Sequence, residues 1–468
     1  MYKFPFEKKN ISKNKIAIIT KANIKITYLE LLRKVNCVSE LISFRSVCLI
    51  KTSNSLEGLL IYLACLQKKA VAILLDNNTK ENSFHEIIDR FKPNYIFSNL
   101  ENFKNSNYKK YNNEFLRNFF ILKQSKKFYI NKSIALLIST SGSTGSVKFA
   151  KISYKNLRSN TINIINYLKI SKSDRTITNL PFFYSYGLSI INTHIFSGAS
   201  LILTDKALID KSSINLVKEN NITNFNGVPF TYDIIFKFKL EKYYLSKLNF
   251  ISQAGGKIKL ASFNKIISIL KSKTKFYIMY GQTEASPRMS YYLVKNKNFI
   301  NGIIGKPIKG GKFFLLDKEN KKISKPNTTG KLFYKGPNVF LGYASNYLEM
   351  KINESSSRLL NTGDMAKFNY DKQFILVSRD SRYIKIEDKR INLDDIEHKL
   401  QQNGIEVLCT ARDHLFIWYT EKEIEKNKVY QIIKENFLIT KRVINLKYIN
   451  EFPKNSAGKF LYKNLLVK

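Results

Sequence analysis

The chain has 468 residues, which allows about two to four units of about 100 to 200 residues and is too long for a small binding module. Hydrophobic residues make up 44% and aromatic residues 13%, a composition too apolar for a disordered chain and suited to a folded globular one. The net charge is +42, from 78 Lys and Arg against 36 Asp and Glu, a balance that suits nucleic acid, anionic lipid or an acidic protein partner. The lysines are nevertheless spread along the whole chain among Asn and Ile, with no arm, stripe or nucleic-acid-binding signature. A nucleic-acid partner is therefore not expected, and codon bias towards A and T accounts for the same charge.

The first residues, MYKFPFEKKN, lack the apolar run of a secretory signal, so a cytoplasmic location is expected. The most membrane-like stretch, Leu56 to Asp76, is interrupted by Lys68 and Lys69. It reads as a helix, a turn and a buried strand, and no membrane span is expected. Four cysteines (Cys37, Cys48, Cys65 and Cys409) form no C-x-x-C pair, and the four histidines show no metal-ligand spacing. They read as reduced thiols and incidental imidazoles.

Up to about Tyr370, short apolar runs alternate with segments at helical spacing, the pattern of an α/β protein with largely parallel sheets. SVCLI, AVAILL, NYIFS, IALLIS, SLILT and KFYIMY are the predicted strands. IALLIS leads into STSGSTGSVKFAK (Ser139 to Lys151), whose small residues let backbone N–H groups approach an anion. The kinase P-loop needs its lysine directly after the second glycine. Here Ser146 and Val147 separate Gly145 from Lys148, so that reading fails, and a Ser/Gly turn without a ligand stays open on the loop alone. Ser153 to Ile170 has the spacing of an amphipathic helix. Strand, Gly-rich turn and helix in that order would let the turn's amides, and the helix dipole, face an anion.

Further on, KFYIMYGQTEASPRM places Tyr280 and Gly281 at a strand end, followed by Thr283 and Glu284. An aromatic ring, a hydroxyl and a carboxylate there could serve a base, a phosphate and Mg²⁺. From Phe313 the chain turns β-rich, with FFLLD, GKLFYKG, QFILVS and YIKIE. LNTGDMAKF sets Asp364 in a tight Gly-containing turn, where a carboxylate can accept both hydroxyls of a ribose. SRDSRYIKIEDKRINLDDIE (Ser378 to Glu397) opens a small α/β unit, and PKNSAGKF (Pro453 to Phe460) lies near its lysine-rich end.

TSGSTG, YGQTE, TGD, the IK-x-x-x-x-R-I run and P-x-x-x-x-GK occur in one order along nearly the whole chain. In that order they resemble the adenylate-forming superfamily of acyl-CoA synthetases, amino-acid adenylation domains and luciferases. YGQTEASPRMSY with FYSYGLSIINTHIFSGAS also looks like the adenylating ligases of surface-polysaccharide gene clusters.

The resemblance implies a large N-terminal domain (1–377) of parallel α/β subdomains plus a β-rich subdomain. A small mobile α/β C-terminal domain (378–468), a lid hinged at Ser381, would follow. It implies an ATP- and Mg²⁺-dependent ligase that converts a carboxylic acid to acyl-AMP, releases pyrophosphate and transfers the acyl group to a thiol. By the same resemblance Thr140, Ser141, Gly142, Ser143, Thr144 and Gly145 cradle the β and γ phosphates, with Lys148 adding charge. Gly255 and Gly256 border the adenine and Tyr280 stacks on it. Asp364 takes the ribose diol with help from Arg379. The catalytic set is Thr283 on the α-phosphate, Glu284 on Mg²⁺ and Lys459 bridging carboxylate and α-phosphate, while Tyr184, Gly227 and Arg288 line the acid's pocket.

Departures narrow the expectation. The glycine usual before the arginine of the IK run is Asp388 here, near the family's pantetheine path, which turns the expected acceptor from free CoA towards an acidic carrier protein. Transfer to an amine stays open, as does a degenerate, non-catalytic basic scaffold. Retention of Glu284, Asp364 and Lys459 argues against the scaffold, which needs none of them. No Asp stands near Tyr184 to pair a substrate ammonium, which disfavours α-amino acids. Tyr184, Tyr186 and Arg288 suit a short polar or aromatic acid.

Overall fold

The computed structural model describes residues 12–98, 103, 105–112, 115–124, 129–140, 148–295, 298–352, 359–379, 382–386, 389–411, 414–421, 423–454 and 460–466. The chain divides into two compact units, one of Met1–Lys312 with Tyr334–Leu360 and one of Phe313–Phe333 with Asn361–Lys468. The boundary expected after residue 377 lies within the second unit.

In the first unit, four parallel strands, Ile134–Ser139, Val71–Asp76, Val47–Thr52 and Tyr95–Ser98, form the middle of an eight-stranded sheet. Their sequences are apolar almost throughout because both faces are covered. Val47, Leu49, Val71 and Ile73 pack with Phe84, Ile88 and Phe91 of the helix Glu81–Phe91. The alternate residues Cys48, Ile50, Ala72 and Leu74 pack with Leu59, Tyr62 and Leu63 of the helix Leu56–Gln67. That helix starts where the Ser55 hydroxyl accepts the Gly58 N–H at 3.1 Å. It ends at the Lys68–Lys69 turn, with Lys69 at φ 54°. The helix, turn and strand read in Leu56 to Asp76 are all present.

The Ser/Gly loop does not run directly into a helix as expected. The strand Phe149–Ser153 intervenes and pairs antiparallel with Ile134–Ser139, so the loop joins two strands of a hairpin. The amphipathic helix Tyr154–Leu168 starts only after it, capped reciprocally by Ser153 and Asn156 at 3.0 and 2.9 Å. Lys151 disguises the strand in the sequence. Its side chain is fully buried, with Nζ donating to the Glu349 carbonyl at 3.1 Å.

The same unit carries three further parallel strands, Asn224–Gly227, Phe250–Gln253 and Lys275–Gly281. The chain then reverses into Arg288–Val294 and Ile303–Pro307, which run antiparallel to their neighbours. In open α/β sheets ligands bind beyond the carboxyl ends of such strands, which is where Gly227, Gln253 and Gly281 lie.

In the second unit, Asp364 to Phe368 of the strand Leu359–Phe368 pair antiparallel with Phe374–Arg379. Asp364 lies inside this ten-residue strand and not in a connecting turn. The glycine signal was local: Gly363 takes φ +68° within the strand, and Thr362 Oγ1 accepts the Asp364 N–H at 3.1 Å. The hairpin Tyr383–Ile386 with Lys389–Asn392 follows, then the sheet of Val407–Ala411, Leu415–Tyr419 and Ile444–Tyr448. Helices Leu393–Gln402 and Lys426–Phe437 cover that sheet through Ile396, Leu400, Val429 and Ile433.

Candidate active site

The strand Lys275–Gly281 delivers the chain to a single 3₁₀ turn, Thr283–Ala285. Gly281 is obligatory there, because a Cβ on it would lie 1.6 Å from the Pro287 carbonyl oxygen. The turn is fixed from three sides. The Phe340 N–H donates to the Glu284 carbonyl at 2.8 Å, and Tyr343 donates its hydroxyl to Glu284 Oε1 at 2.8 Å. The hydroxyls of Thr283 and Ser185 lie 3.3 Å apart. Tyr280, just upstream, is buried and pairs with Ser290 across the ladder.

Beyond the turn, two buried asparagines hold the return segment. Asn160 and Asn338 each donate to the Arg288 carbonyl at 2.8 Å, and Asn338 also reaches the Ala285 carbonyl at 2.7 Å. The Tyr334 hydroxyl completes Asn338 at 2.8 Å. Thus anchored, Arg288 sends its guanidinium over the Tyr186 ring, 3.9 Å from the centroid, with only 3% of the residue exposed.

Tyr186 stands on a hydrogen-bond chain within the first unit. Its hydroxyl meets Ser252 Oγ at 2.8 Å, which donates to Asn226 Oδ1 at 2.6 Å, while Asn226 Nδ2 reaches Asn224 Oδ1 at 2.9 Å. Asn224 Nδ2 then donates to His194 Nε2 at 3.2 Å, and His194 Nδ1 donates to the Ile190 carbonyl at 2.8 Å. Burial keeps the Tyr186 phenol neutral by pushing it up to about 12. Tyr184 and Gly255 meet on this side as well. Gly255 has φ +87°, and a Cβ on it would come within 2.8 Å of the Tyr184 hydroxyl. Gly227 ends its strand against Thr231 and Tyr232, and Gly256 lies against Pro229.

This network predicts a pH dependence. Burial lowers His194 from its ordinary 6.5 to about 4, so its contribution to stability is complete above pH 6.5 and is lost as the pH falls through 4. The difference corresponds to about 3 kcal/mol. Denaturant midpoints measured between pH 7 and 4 should fall less steeply for His194→Gln than for the native chain. Parallel slopes would show that His194 is not the titrating group.

In the second unit, Asp364 and Arg379 are direct cross-strand partners, with Arg379 Nε 3.3 Å from Asp364 Oδ1. The Asp364 side chain is 7% exposed and that of Arg379 52%. Nearer the C-terminus, Arg382 bonds Asp394 at 2.7 Å and pairs with Glu397, and its guanidinium lies 4.2 Å from the Tyr462 ring centroid. Tyr462 donates to Glu397 Oε2 at 3.0 Å.

Several residues singled out in the sequence lie outside the described residues: Ser141, Gly142, Ser143, Thr144, Gly145, Ser381, Asp388 and Lys459. The flanks of the two loops are described. Thr140 N donates to the Lys148 carbonyl at 3.1 Å, closing the neck of the Ser/Gly hairpin. Lys454 and Phe460 form a β-bridge, with Leu461 N donating to the Pro453 carbonyl at 2.8 Å. Sequence reasoning missed Tyr343, Ser185 and the chain from Tyr186 to His194. Their partners are 59, 98 and up to 66 residues away, beyond any local spacing.

Among the described residues no group of three or more His, Cys, Asp or Glu could hold a metal by itself. A lone carboxylate still fits Mg²⁺ arriving on a nucleotide, because that ion takes one or two carboxylates and fills its octahedron with phosphate and water oxygens. Glu284 fits this description: Tyr343 occupies Oε1, and Oε2 has no partner among the described residues. Among the described residues no helix is long and apolar enough to cross a membrane, and all four thiols are free.

The family model of AMP-binding enzymes matches residues 6–344. The chain belongs to this family, the adenylate-forming one its motifs resemble, and is an ATP-using, AMP-forming ligase. It is 24% identical to the oxalate–CoA ligase of Saccharomyces cerevisiae over 383 residues, 79% of this chain and 69% of that protein. It is also 24% identical to the 2-succinylbenzoate–CoA ligase of Oceanobacillus iheyensis, covering 97% of each. The fold superimposes on ATP-bound MatB from Rhodopseudomonas palustris with a TM-score of 0.79 at 19% identity, over 99% of this chain and 97% of that one.

Proposed function

We propose that this protein activates a small carboxylic acid with ATP and Mg²⁺ in the cytoplasm and passes the acyl group to a thiol, that of CoA or of a carrier protein's phosphopantetheine. The observation that carries the reading is Glu284, one carboxylate oxygen tied to Tyr343 and the other without a partner among the described residues, beside the Thr283 hydroxyl at the end of a parallel strand. The relatives named for oxalate and 2-succinylbenzoate, both joined to CoA, support an acid and a thiol as the two partners.

A carboxylate is a poor acylating agent. Its oxygen attacks the α-phosphorus of ATP, the bond to the β-phosphate oxygen breaks, and pyrophosphate leaves. Negative charge crowds the α-phosphorus throughout, so the protein's task is to place fixed donors and cations there. Thr283 donates to the α-phosphate, and Lys459 bridges it to the incoming carboxylate. Thr140 to Gly145 with Lys148 hold the β and γ phosphates, Gly255, Gly256 and Tyr280 receive the base, and Asp364 with Arg379 receives the ribose. When bound at Glu284, Mg²⁺ supplies charge neutralisation on the phosphates. The thiol then displaces AMP from the adenylate, after the C-terminal residues 378–468 turn about Ser381.

The test is pyrophosphate release with a panel of carboxylic acids, followed by addition of CoA or of a holo carrier protein. The expected result is acid-dependent formation of one AMP and one pyrophosphate per acid, and a thioester with one of the two thiols. Formation of ADP, or nucleotide turnover independent of acid, would overturn the reading. An acyl amide formed from added amines, with no thioester, would correct the acceptor.

A further inference from the structure

We infer that Arg288 recognises a second carboxylate on the acid, so that the substrate is a short dicarboxylic acid. This rests on the ligase reading above and names its substrate class.

Three observations converge on it. First, Arg288 is almost wholly buried, and its neighbours are the phenols of Tyr167, Tyr184 and Tyr186. Among the described residues no Asp or Glu is ion-paired with it. Its Nε is buried without a hydrogen-bond acceptor. A cation removed from water beside neutral phenols is unfavourable until an anion joins it, so the site calls for negative charge. Second, the guanidinium is preorganised. Asn160 and Asn338 clamp its backbone, and the Tyr186 ring beneath it is held by the chain running to His194. A rigid, planar fork of N–H groups matches the two oxygens of a carboxylate. Third, the site adjoins the reacting region of the first unit. Arg288 follows Glu284 by four residues, and Ser185, next to Tyr186, faces Thr283 at 3.3 Å.

The reacting carboxylate itself is not the partner Arg288 calls for. A bidentate clamp on that group would stabilise the ground state and withdraw the lone pair that must attack phosphorus. A carboxylate at the far end of the molecule has no such conflict. Clamping it would fix the acid's register and hold its reacting end towards Thr283.

The experiment compares short linear dicarboxylates with their monomethyl esters, which share the same carbon backbone, keep one free carboxylate and cap the other with a methyl group. The readout is kcat/KM from pyrophosphate release. For the native chain each accepted diacid should exceed its ester by about 10²-fold or more, the discrimination expected when a buried polar group is left unpaired. Arg288→Met keeps the apolar volume and should lose that preference, while calorimetric ATP binding stays unchanged and reports that the variant is folded. Arg288→Lys should retain part of it. Equal use of ester and diacid by the native chain overturns the inference and leaves the ligase reading standing. A preference that survives in folded Arg288→Met overturns the assignment to this residue. No acid-dependent pyrophosphate from any acid overturns both. Should Arg288→Met fail to fold, the comparison of diacid and ester on the native chain decides alone.

Discussion

Lys459→Ala is expected to cut acyl-adenylate formation by about 10²- to 10³-fold while leaving ATP binding nearly intact, the loss usual for one preorganised donor at a developing charge. Before reaction the carboxylate and the α-phosphate repel each other, and in the transition state they share a pentacoordinate phosphorus. A cation between them gains most at that point, so its removal falls on kcat and not on the affinity for ATP. The loop that carries Lys459 is closed at its neck by the Lys454–Phe460 bridge, and Tyr462 just beyond it is pinned to Glu397 and Arg382. Retained ATP binding by the variant reports that its fold is intact. The thioester half-reaction separates the acyl group from AMP and has no such repulsion to offset. Adenylate supplied ready-made should therefore be converted at close to the native rate. Pyrophosphate release equal to that of the native chain would remove Lys459 from the mechanism.

What the sequence disclosed and what it hid follow from the range of the forces involved. Parallel strands covered on both faces have to be apolar throughout, so runs such as AVAILL and IALLIS betrayed the sheet directly. Short motifs such as YGQTE were legible because the turn they form is local: Gly281 is forced by a backbone oxygen six residues on. Phe149–Ser153 was hidden because a lysine at its centre looks incompatible with burial. A distant carbonyl, that of Glu349, makes the burial tolerable. Asp364 was read as a turn residue because glycine at positive φ is the commonest sign of one, and the strand simply absorbs that conformation. Tyr343 could not be found at all. Its value lies in a single hydrogen bond to Glu284, and no spacing rule connects the two positions.

Asp364→Ala should raise the KM for ATP by about 10²-fold. A hydrogen bond from a neutral hydroxyl to a charged group is worth about 1.5–3 kcal/mol, and the proposed role gives this carboxylate two of them, one from each ribose hydroxyl. The variant leaves Arg379 without its cross-strand carboxylate, but the Arg379 side chain is 52% exposed, so water replaces the partner at small cost. For the same reason Arg379→Ala should cost only several-fold in KM. The decisive measurement is a cycle with 2′-deoxy-ATP. The native chain should lose about tenfold on losing the 2′-hydroxyl, the lower end of the range above, whereas Asp364→Ala has no bond left to lose and should accept both nucleotides alike. Coupling of that kind requires direct contact between the carboxylate and the sugar. If the two losses simply add, Asp364 acts on stability or on its neighbour Arg379, and the ribose is held elsewhere.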